Sequence, residues 1–349
     1  MPSTAANPEP IDLVLLGAGR WGTHLLRNFL NHPQIRLRAV VEASESRLAA
    51  LADQLHGTGV KVISDWQAAM ALEGVVGCAI ATPAATHYKL IEAALEHNLH
   101  VLAEKPLTLD IASSKALCTL AAQQNRQLVI DHTYLFHSVV TTGKTALKNL
   151  GTPRYGYATR THLGPVRQDV DTLWDLAIHD ISIFNYWLGE RPIKVQAQGS
   201  SWLQPQINTP LSPNGLADQV WCRLQYPSGF EATIHLCWAN PDKQRRLAVV
   251  CDQATLIFDE MNKAAPLIQQ NGSFTQNNNQ FTPQNLSTQP VESPATEPLR
   301  KVCDHFVTCI QQNQPSAISS AEIGTQLVSV LAALSDSMKQ NGEWISVVA

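Results

Sequence analysis

The sequence predicts an α/β protein with two domains, the first built on a parallel sheet and the second an α+β domain on a mostly antiparallel, open sheet. Three observations lead to this fold class. The chain has 349 residues, 44% hydrophobic and 15% charged, which is enough for two globular cores. Short apolar runs alternate with helical patterns up to about residue 131. Beyond residue 150 the runs become longer and alternate between apolar and polar residues.

The first domain is predicted to span residues 11–131. Its apolar runs are IDLVLLG, LRAVVE, VKVIS, VGCAIAT, HVLAEK and QLVID, and helical patterns separate most of them. This alternation is typical of βαβ units, whose parallel strands are buried on both faces. The preceding residues 1–10, MPSTAANPEP, are predicted to form a disordered tail.

The second domain is predicted to span residues 132–349. Runs such as PRYGYATRTH and FEATIHLCWAN alternate along the chain, and PSG marks a hairpin turn, so short connections favour antiparallel pairing. Residues 268–298 are rich in Gln, Asn, Pro, Ser and Thr and are predicted to form a polar, mobile surface excursion. Helical patterns at roughly 298–312 and 319–341 close the chain, and the second is a candidate to pack back on the first domain.

Charge and cysteine content restrict the function class. Lys and Arg number 25 and Asp and Glu 29, so the net charge of −4 provides no general attraction to nucleic acid or anionic membrane. A small-molecule partner is therefore expected. The seven cysteines are scattered and never spaced C-x-x-C, which argues against a disulfide framework and a metal site. A reduced, cytoplasmic compartment is favoured.

The glycine-rich stretch VLLGAGRWG carries the first functional signal. Gly17, Gly19 and Gly22 have G-x-G-x-x-G spacing between a predicted strand and a predicted helix. In such a loop the first glycine makes the turn, the second lets a pyrophosphate approach the backbone, and the third permits close helix packing. The stretch predicts a Rossmann dinucleotide-binding domain, with Arg20 and Trp21 as further cofactor-binding candidates. A glycine-rich turn in another kind of α/β protein is the alternative.

An acidic residue after the loop predicts which dinucleotide binds. Glu42 ends the run LRAVVE, twenty residues after Gly22, where it can accept hydrogen bonds from the adenosine ribose and repel a 2′-phosphate. NAD is therefore the predicted cofactor, and NADP is less favoured. Arg47 leaves this choice partly open, because it is either a ligand for a 2′-phosphate or a solvated helix residue.

Two later strand ends carry polar residues. The run CAIAT ends at Thr82 and Pro83, and the run HVLAE delivers Glu104, Lys105 and Pro106. In open parallel sheets, ligands bind at the carboxyl ends of the strands. Pro106 also restricts the preceding residue to extended conformations. The sequence therefore predicts a lysine held at the edge of the sheet where a ligand binds.

A polar stripe follows on an apolar helix, DTLWDLAIHDISIFNYWL, over residues 171–188. At 100° per residue the stripe carries Asp171, Asp175, His179, Ser182 and Tyr186, and contains neither Lys nor Glu. This composition predicts that the stripe faces a cleft rather than open solvent. The alternative for the Asp and His is a satisfied pair inside a helix packing surface.

Taken together these motifs resemble the glucose-fructose oxidoreductase / inositol dehydrogenase / MocA (Gfo/Idh/MocA) family, in the subgroup that acts on sugars or nucleotide sugars. The resemblance in element order runs from residue 11 to the C-terminus. Members of that family carry G-x-G-x-x-G, T-P-x-x-x-H, E-K-P and D-x-x-x-H motifs, which stand here as Gly17, Gly19, Gly22; Thr82, Pro83, His87; Glu104, Lys105, Pro106; and Asp175, His179.

The resemblance implies an NAD-dependent dehydrogenase acting on CH–OH groups. It implies that the polar stripe faces the nicotinamide across the cleft between the domains. His179 would be the base that takes a hydroxyl proton, Lys105 would stabilise the developing alkoxide, and Asp175 would orient His179 or bind substrate. Residues on the nicotinamide side would be Thr82, Pro83, His87 and Glu104.

The substrate and the assembly are less closely defined. The stretches IDHTYLFHSVV and THLGPVRQDVD resemble the subgroup of the family that acts on sugars or nucleotide sugars, and the resemblance implies a sugar, sugar acid or nucleotide sugar as substrate. Candidate substrate ligands are Lys105, His132, Tyr134, Arg160, Arg167, Asp169, Asp175 and His179, although the arginines and Asp169 are equally consistent with ordinary surface charges. An NAD-retaining glycosidase, a cofactor-recycling oxidoreductase and a non-catalytic NAD-binding regulator remain as alternatives.

One strand predicts self-association. The helix over 171–188 is expected to cover one face of the second sheet, the sequence suggests no element to cover the other, and the run FEATIHLCWAN leaves an apolar set to bury. Members of the family pair through this sheet, so the resemblance implies a homodimer or homotetramer. The predicted uncovered residues are Phe230, Ala232, Ile234, Leu236 and Trp238.

Overall fold

The chain folds into two units, which a computed structural model describes over residues 9–348. The first unit comprises the chain up to Thr133 together with Glu297–Val328, and the second comprises Tyr134–Thr296 together with the chain from Ser329. The predicted domain boundary at 131/132 is close to the point, after Thr133, where the chain passes from the first unit to the second. The second domain was predicted to comprise all of residues 132–349, whereas residues 297–328 fold with the first unit. The predicted tail lies largely outside the described residues.

The helices and strands follow the chain in a regular order. The strands are β1 (Ile11–Leu16), β2 (Ile35–Val41), β3 (Lys61–Ile63), β4 (Gly77–Ile80), β5 (His100–Glu104), β6 (Leu128–Asp131), β7 (Pro153–Leu163), β8 (Lys194–Ser200), β9 (Gln219–Gln225), β10 (Glu231–Cys237), β11 (Ala239–Cys251), β12 (Ala254–Asp259), β13 (Leu267–Asn277), β14 (Gln280–Pro290) and β15 (Ile345–Ser346). The helices are α1 (Gly22–Leu30), α2 (Glu45–Gln54), α3 (Trp66–Met70), α4 (His87–Glu96), α5 (Ile111–Gln123), α6 (Ser138–Leu147), α7 (Ile178–Leu188), α8 (Pro298–Gln312) and α9 (Ala321–Lys339).

The first unit is built on a parallel sheet with strand order β3-β2-β1-β4-β5-β6. Strands β4, β5 and β6 are buried along their whole length, as their continuous apolar runs predicted. The order reverses direction between β1 and β4, which is the switch point where ligands bind in folds of this kind. The predicted Rossmann architecture is therefore confirmed.

The second unit is built on a sheet with strand order β14-β13-β12-β11-β7-β10-β9-β8-β15. Its neighbours pair antiparallel except β7 with β10, which run parallel. The predicted PSG turn joins β9 and β10, where the Gly229 N–H donates to Tyr226 O at 3.0 Å. The mostly antiparallel sheet is confirmed.

The prediction that the apolar residues of FEATIHLCWAN are uncovered is wrong. The apolar side chains of FEATIHLCWAN are covered, since Phe230, Ile234 and Trp238 are at most 2% exposed, and the ring of Phe230 lies 6.2 Å from that of Phe184 on α7. The opposite face carries the exposed aromatic residues. Trp221 is 56% exposed and stacks on His235 with ring centroids 4.0 Å apart.

The polar segment after residue 267, which was predicted to be a mobile surface excursion, forms a β-hairpin. Strands β13 and β14 are eleven residues long and pair antiparallel through nine residue pairs, and Asn278 and Asn279 at the turn have φ of 47° and 67°. Asparagine tolerates this left-handed conformation, which a two-residue hairpin turn requires. β14 is exposed throughout, in agreement with its polar composition. Across residues 9–348, no helix is long and apolar enough to span a membrane.

Candidate functional site

The glycine loop between β1 and α1 is shaped by three different constraints. Gly17 has φ of +87°, and a Cβ at this position would lie 2.8 Å from Ala81 O. A Cβ at Gly22 would lie 2.0 Å from Gly17 O, so α1 can pack against the loop only with glycine there. A Cβ at Gly19 would meet no heavy atom within 4 Å. The loop is therefore closely packed at Gly17 and Gly22 and open at Gly19, which fits a pyrophosphate approaching the backbone at Gly19.

Glu42 lies beside this loop and is ionised. Its Oε2 accepts a hydrogen bond from the Ala18 N–H at 3.3 Å, and its Oε1 accepts from the Ser44 N–H at 2.9 Å and from Arg47 Nη2 at 3.2 Å. Burial by itself would raise the pKa of Glu42, but these donors and the Arg47 charge hold the pKa below its usual value. Since a carboxylate has about four acceptor positions, the group retains capacity for a ribose hydroxyl.

Two cofactor candidates in the loop and one after β2 have more exposed side chains. Trp21 is 45% exposed and its ring lies 5.6 Å from that of His24, and Arg20 is exposed as well. The Arg47 side chain is 60% exposed but pairs with Glu42. Arg47 is thus oriented by the acidic residue that favours NAD, and a role for it in binding a 2′-phosphate stays an untested alternative.

His87 connects the loops after β4 and β5. The ring is buried, with Nδ1 2.8 Å from Pro106 O and Nε2 3.0 Å from Thr82 O. A neutral imidazole can donate to one of these carbonyl groups and an imidazolium to both. His87 therefore fixes the position of the Thr82–Pro83 turn relative to the Lys105–Pro106 peptide bond, which is cis. Its predicted contact with the cofactor stays a prediction.

Lys105 follows β5 and lies beside a buried acidic pair. Glu104 is the last residue of β5, and Asp131, the last residue of β6, is its partner across the two strands. Glu104 is 8% exposed and Asp131 1%. Sequence reasoning missed Asp131, although an aspartate ending an entirely apolar run, QLVID, was a visible signal.

His132 is buried next to this pair and is electrically neutral. Burial, and then the Lys105 charge, lower the pKa of His132 to about 3. Ser319 Oγ lies 2.6 Å from both His132 Nδ1 and Ile130 O. Because the serine hydroxyl donates to the carbonyl group, Nδ1 of His132 carries the proton and donates to Ser319. Its predicted role as a substrate ligand would therefore use Nε2 as an acceptor.

In the second unit, a π-helical turn interrupts the start of the polar helix. Residues Leu173–Ala177 form this turn and carry Asp175, and α7 with His179 follows directly. Such turns are rare and occur frequently at functional sites. Asp171 does not share the half-buried position of Asp175: it is buried and accepts hydrogen bonds from the Trp174 N–H and from Ser212 Oγ. Asp171 therefore anchors the turn.

A partly buried polar network lies next to the His179 ring. The ring of Tyr134 is 5.0 Å from that of His179, and its hydroxyl donates to Glu260 Oε2 at 2.5 Å and accepts from Arg160 Nη1 at 2.9 Å. Arg160 also forms a two-pronged pair with Asp180, each bond 2.9 Å long. At 4% exposure, Arg160 supports Tyr134 and α7, and its predicted substrate contact is untested. Sequence reasoning missed Asp180 and Glu260.

Arg167 forms ion pairs with two of the acidic residues that the sequence singled out, Asp169 and Asp175. It bonds to Asp169 at 2.8 and 2.5 Å and to Asp175 Oδ1 at 3.3 Å. Burial alone would raise the pKa of Asp169, but Arg167 holds it below its usual value. The side chains of Arg167, Asp169 and Asp175 are 30%, 36% and 17% exposed, so this cluster can reach a polar ligand.

The chain matches two family profiles that together cover most of its length. Residues 11–132 match an oxidoreductase family with an NAD-binding Rossmann fold, and residues 149–257 match the GFO/IDH/MocA C-terminal domain. UDP-N-acetylglucosamine 3-dehydrogenase of Acidithiobacillus ferrooxidans is 30% identical over 186 residues, which are 53% of this chain and 56% of that enzyme. The match thus spans little more than half of this relative.

Solved structures match over nearly the whole chain. A Magnetospirillum magnetotacticum protein assigned as an oxidoreductase is 29% identical, with a TM-score of 0.77 over 93% of this chain and 100% of that one. An inositol dehydrogenase homologue of Azotobacter vinelandii, solved with NADH and myo-inositol, has a TM-score of 0.80 at 17% identity over 97% of this chain and 98% of that one. At that identity the second likeness concerns the fold alone.

Proposed function

The chain belongs to the Gfo/Idh/MocA oxidoreductase family, and on that premise we propose that it transfers a hydride between NAD and a secondary hydroxyl or keto carbon of a sugar, sugar acid or nucleotide sugar. One observation carries the proposal. The glycine loop, the Thr82–Pro83 turn and Lys105 follow β1, β4 and β5, which are neighbours in one parallel sheet. The cofactor loop and the candidate catalytic lysine therefore share one sheet edge.

The chemistry is divided between a cation and a base. When bound, NAD accepts or supplies the hydride. In the direction of oxidation, His179 takes the hydroxyl proton, and the Lys105 ammonium donates a hydrogen bond to the oxygen as negative charge develops on it. The Tyr134 ring, fixed through its hydroxyl by Arg160 and Glu260, supports the orientation of the His179 ring.

The polar cluster around Arg167 supports a hydroxyl-rich substrate. Asp175 and Asp169 can accept hydrogen bonds from sugar hydroxyl groups, and Arg167 can donate to a hydroxyl, carboxylate or phosphate oxygen. One relative is named for a nucleotide sugar, and one structural neighbour holds a cyclic polyol. These names favour a polyhydroxylated substrate for this chain too.

We also propose that the protein is a homo-oligomer through the open face of the second sheet. The sequence predicted this from the wrong side chains, since the apolar residues of β10 are covered. On the open face, Trp221 is 56% exposed and Tyr155 51%, and Arg223 approaches the Trp344 ring at 5.1 Å. Exposed aromatic residues beside an arginine have the composition of an interface core.

The proposed activity is tested on a panel of sugars, sugar acids and nucleotide sugars with NAD. NADH absorbance and product mass would be followed for wild type, Lys105→Ala and His179→Ala. We expect one ligand class to give a keto product, and each substitution to lower kcat/KM roughly a hundredfold or more while NADH still binds. The matched controls are Lys115→Ala and His97→Ala, both at exposed positions of the first unit.

The contrary outcomes are distinct. Full turnover in the Lys105 variant would refute the division of roles. Binding of NADH without turnover on any ligand would refute the enzymatic proposal and favour a regulator. A net hydrolysis or a redox-neutral product would indicate that NAD is retained through the cycle.

A further inference from the structure

The carboxyl ends of β5 and β6 bring two acidic side chains together in the interior. Glu104 and Asp131 are partners in the parallel register, so their side chains project from the same face of the sheet. Both are at most 8% exposed. Two ionised carboxylates cannot both be accommodated at such a site without strong compensation, because each has lost its water and the charges repel.

Two of the four carboxyl oxygens of Glu104 and Asp131 receive no hydrogen bond from the surrounding residues 9–348. Asp131 Oδ1 accepts from Thr133 Oγ1 at 2.7 Å, and the backbone N–H of Lys105 donates to the Glu104 carboxyl group. Asp131 Oδ2 and Glu104 Oε1 are buried and receive no hydrogen bond from a donor within residues 9–348. The register that pairs Glu104 with Asp131 places the two carboxyl groups side by side on one face of the sheet. Such a contact becomes a hydrogen bond when one of the two carries a proton.

The charged and titratable groups that face the pair favour one proton between them. Burial, and then the Asp131 charge, raise the pKa of Glu104 well above its usual value, and the Lys105 charge opposes this only in part. His132 is neutral, and burial followed by the Asp131 charge raises the pKa of the Cys303 thiol on α8, so that thiol is neutral too. Among residues 9–348, Lys105 is the cation that acts on the pair, and its charge offsets the burial and mutual repulsion of the two carboxyl groups only in part, which favours one negative charge on the pair rather than two.

We propose that Glu104 and Asp131 share a single proton, and that the one negative charge left on this buried pair positions the Lys105 ammonium group. Glu104 is the proton carrier and donates to Asp131. The positioning role rests on the proposed function, whereas the shared proton does not depend on it. Asp131 touches neither substrate nor cofactor in this scheme, and acts through Lys105.

The shared proton is tested by infrared spectroscopy of the intact protein at neutral pH. A protonated carboxyl group absorbs apart from ionised carboxylates, so wild type minus Glu104→Gln should show one buried carboxylic acid band. Asp131→Asn should remove or shift the same band. The exposed Glu96→Gln should leave it unchanged. Glutamine has the shape of protonated Glu104, so this variant should fold. A spectrum without any acid band sensitive to Glu104→Gln or Asp131→Asn would overturn the proposal.

The positioning role is tested separately by kinetics and cofactor titration. We expect Asp131→Asn to bind NADH within about twofold of wild type, to lower kcat roughly tenfold or more with little change in KM, and to alter the pH profile of kcat. A fall in activity that merely follows the loss of folded protein would leave the pH profile unchanged and would contradict the role. If no ligand is turned over even by wild type, the proposed function fails, while the infrared result still decides whether the proton is shared.

Discussion

Two substitutions in the glycine loop should have opposite effects on folding and on cofactor binding. Neither Gly19 nor Gly22 has a positive φ, so alanine strains the backbone at neither position. At Gly22 the new Cβ would lie 2.0 Å from Gly17 O and 2.8 Å from Gly17 C. Ordinary contacts exceed 3 Å, so loop and helix must separate by more than about 1 Å, and overpacking of this kind costs about 1–3 kcal/mol.

Gly19→Ala should leave the free energy of unfolding within about 0.5 kcal/mol of wild type, because its Cβ enters open space. That space is where the pyrophosphate is expected to approach. A methyl group there should weaken NADH binding at least tenfold, which corresponds to about 1.4 kcal/mol. The comparison needs no knowledge of the substrate.

The assays are urea denaturation followed by circular dichroism, and NADH titration followed by fluorescence. Gly22→Ala should lower the denaturation midpoint, and Gly19→Ala should keep the midpoint and lose affinity. Wild-type NADH affinity in a fully folded Gly19→Ala protein would refute the assignment of this loop to the pyrophosphate. Equal loss of stability in both variants would refute the reasoning from the Cβ distances.

Three other predictions concern the remaining features. Tyr134→Phe should lower the free energy of unfolding by about 2 kcal/mol, because it loses hydrogen bonds to charged partners, yet keep kcat within severalfold of wild type. Tyr134→Leu also loses the ring beside His179 and should lower kcat at least tenfold. Equal kcat values for the two variants would contradict the proposal that the Tyr134 ring supports His179. Glu104 holds a proton in the folded state that the unfolded chain releases above a pKa near 4.5, so the free energy of unfolding should fall as pH rises above that value, and urea titrations of Glu104→Gln should lack this component of the slope. Trp221→Ser should reduce the molar mass found by light scattering while Phe274→Ser, exposed on the β13–β14 hairpin, should not; a monomeric wild type at micromolar concentration would exclude the interface.

Much of the architecture was predictable because each signal is local. Strand and helix periods revealed the parallel sheet, the glycine spacing located the cofactor loop, and α7 ends at residue 188 as predicted, followed by Gly189 with φ of 72°. The hairpin after residue 267 was also accessible in principle. Its Asn278–Asn279 pair is a turn signal, but the polar composition favoured a mobile surface excursion and no strands were predicted there.

What could not be predicted depends on contacts between distant residues. The alternation of β10 identified its apolar face correctly, and a helix over 171–188 was expected on one face of the sheet, but no sequence pattern states which of the two faces that helix covers. The π-helical turn is set by Asp171 and Ser212, forty-one residues apart, and it places Asp171 apart from the stripe that a regular helix would give. Arg160 was predicted to be either a substrate ligand or a surface charge. The sequence did not reveal its ion pair with Asp180, because Asp180 is twenty residues away in a mainly apolar helix.

The division of the chain has a consequence for its biosynthesis. The parallel-sheet unit needs α8, whose Val302, Cys303 and Phe306 are fully buried, and α8 packs against α1. Residues 134–296 lie between these segments in the sequence. A nascent chain therefore exposes the apolar surface that packs against α8 until residues 298–312 have left the ribosome, and a fragment ending at residue 132 would expose it permanently. Expression of the first unit alone should require residues 297–328 to be joined back to it.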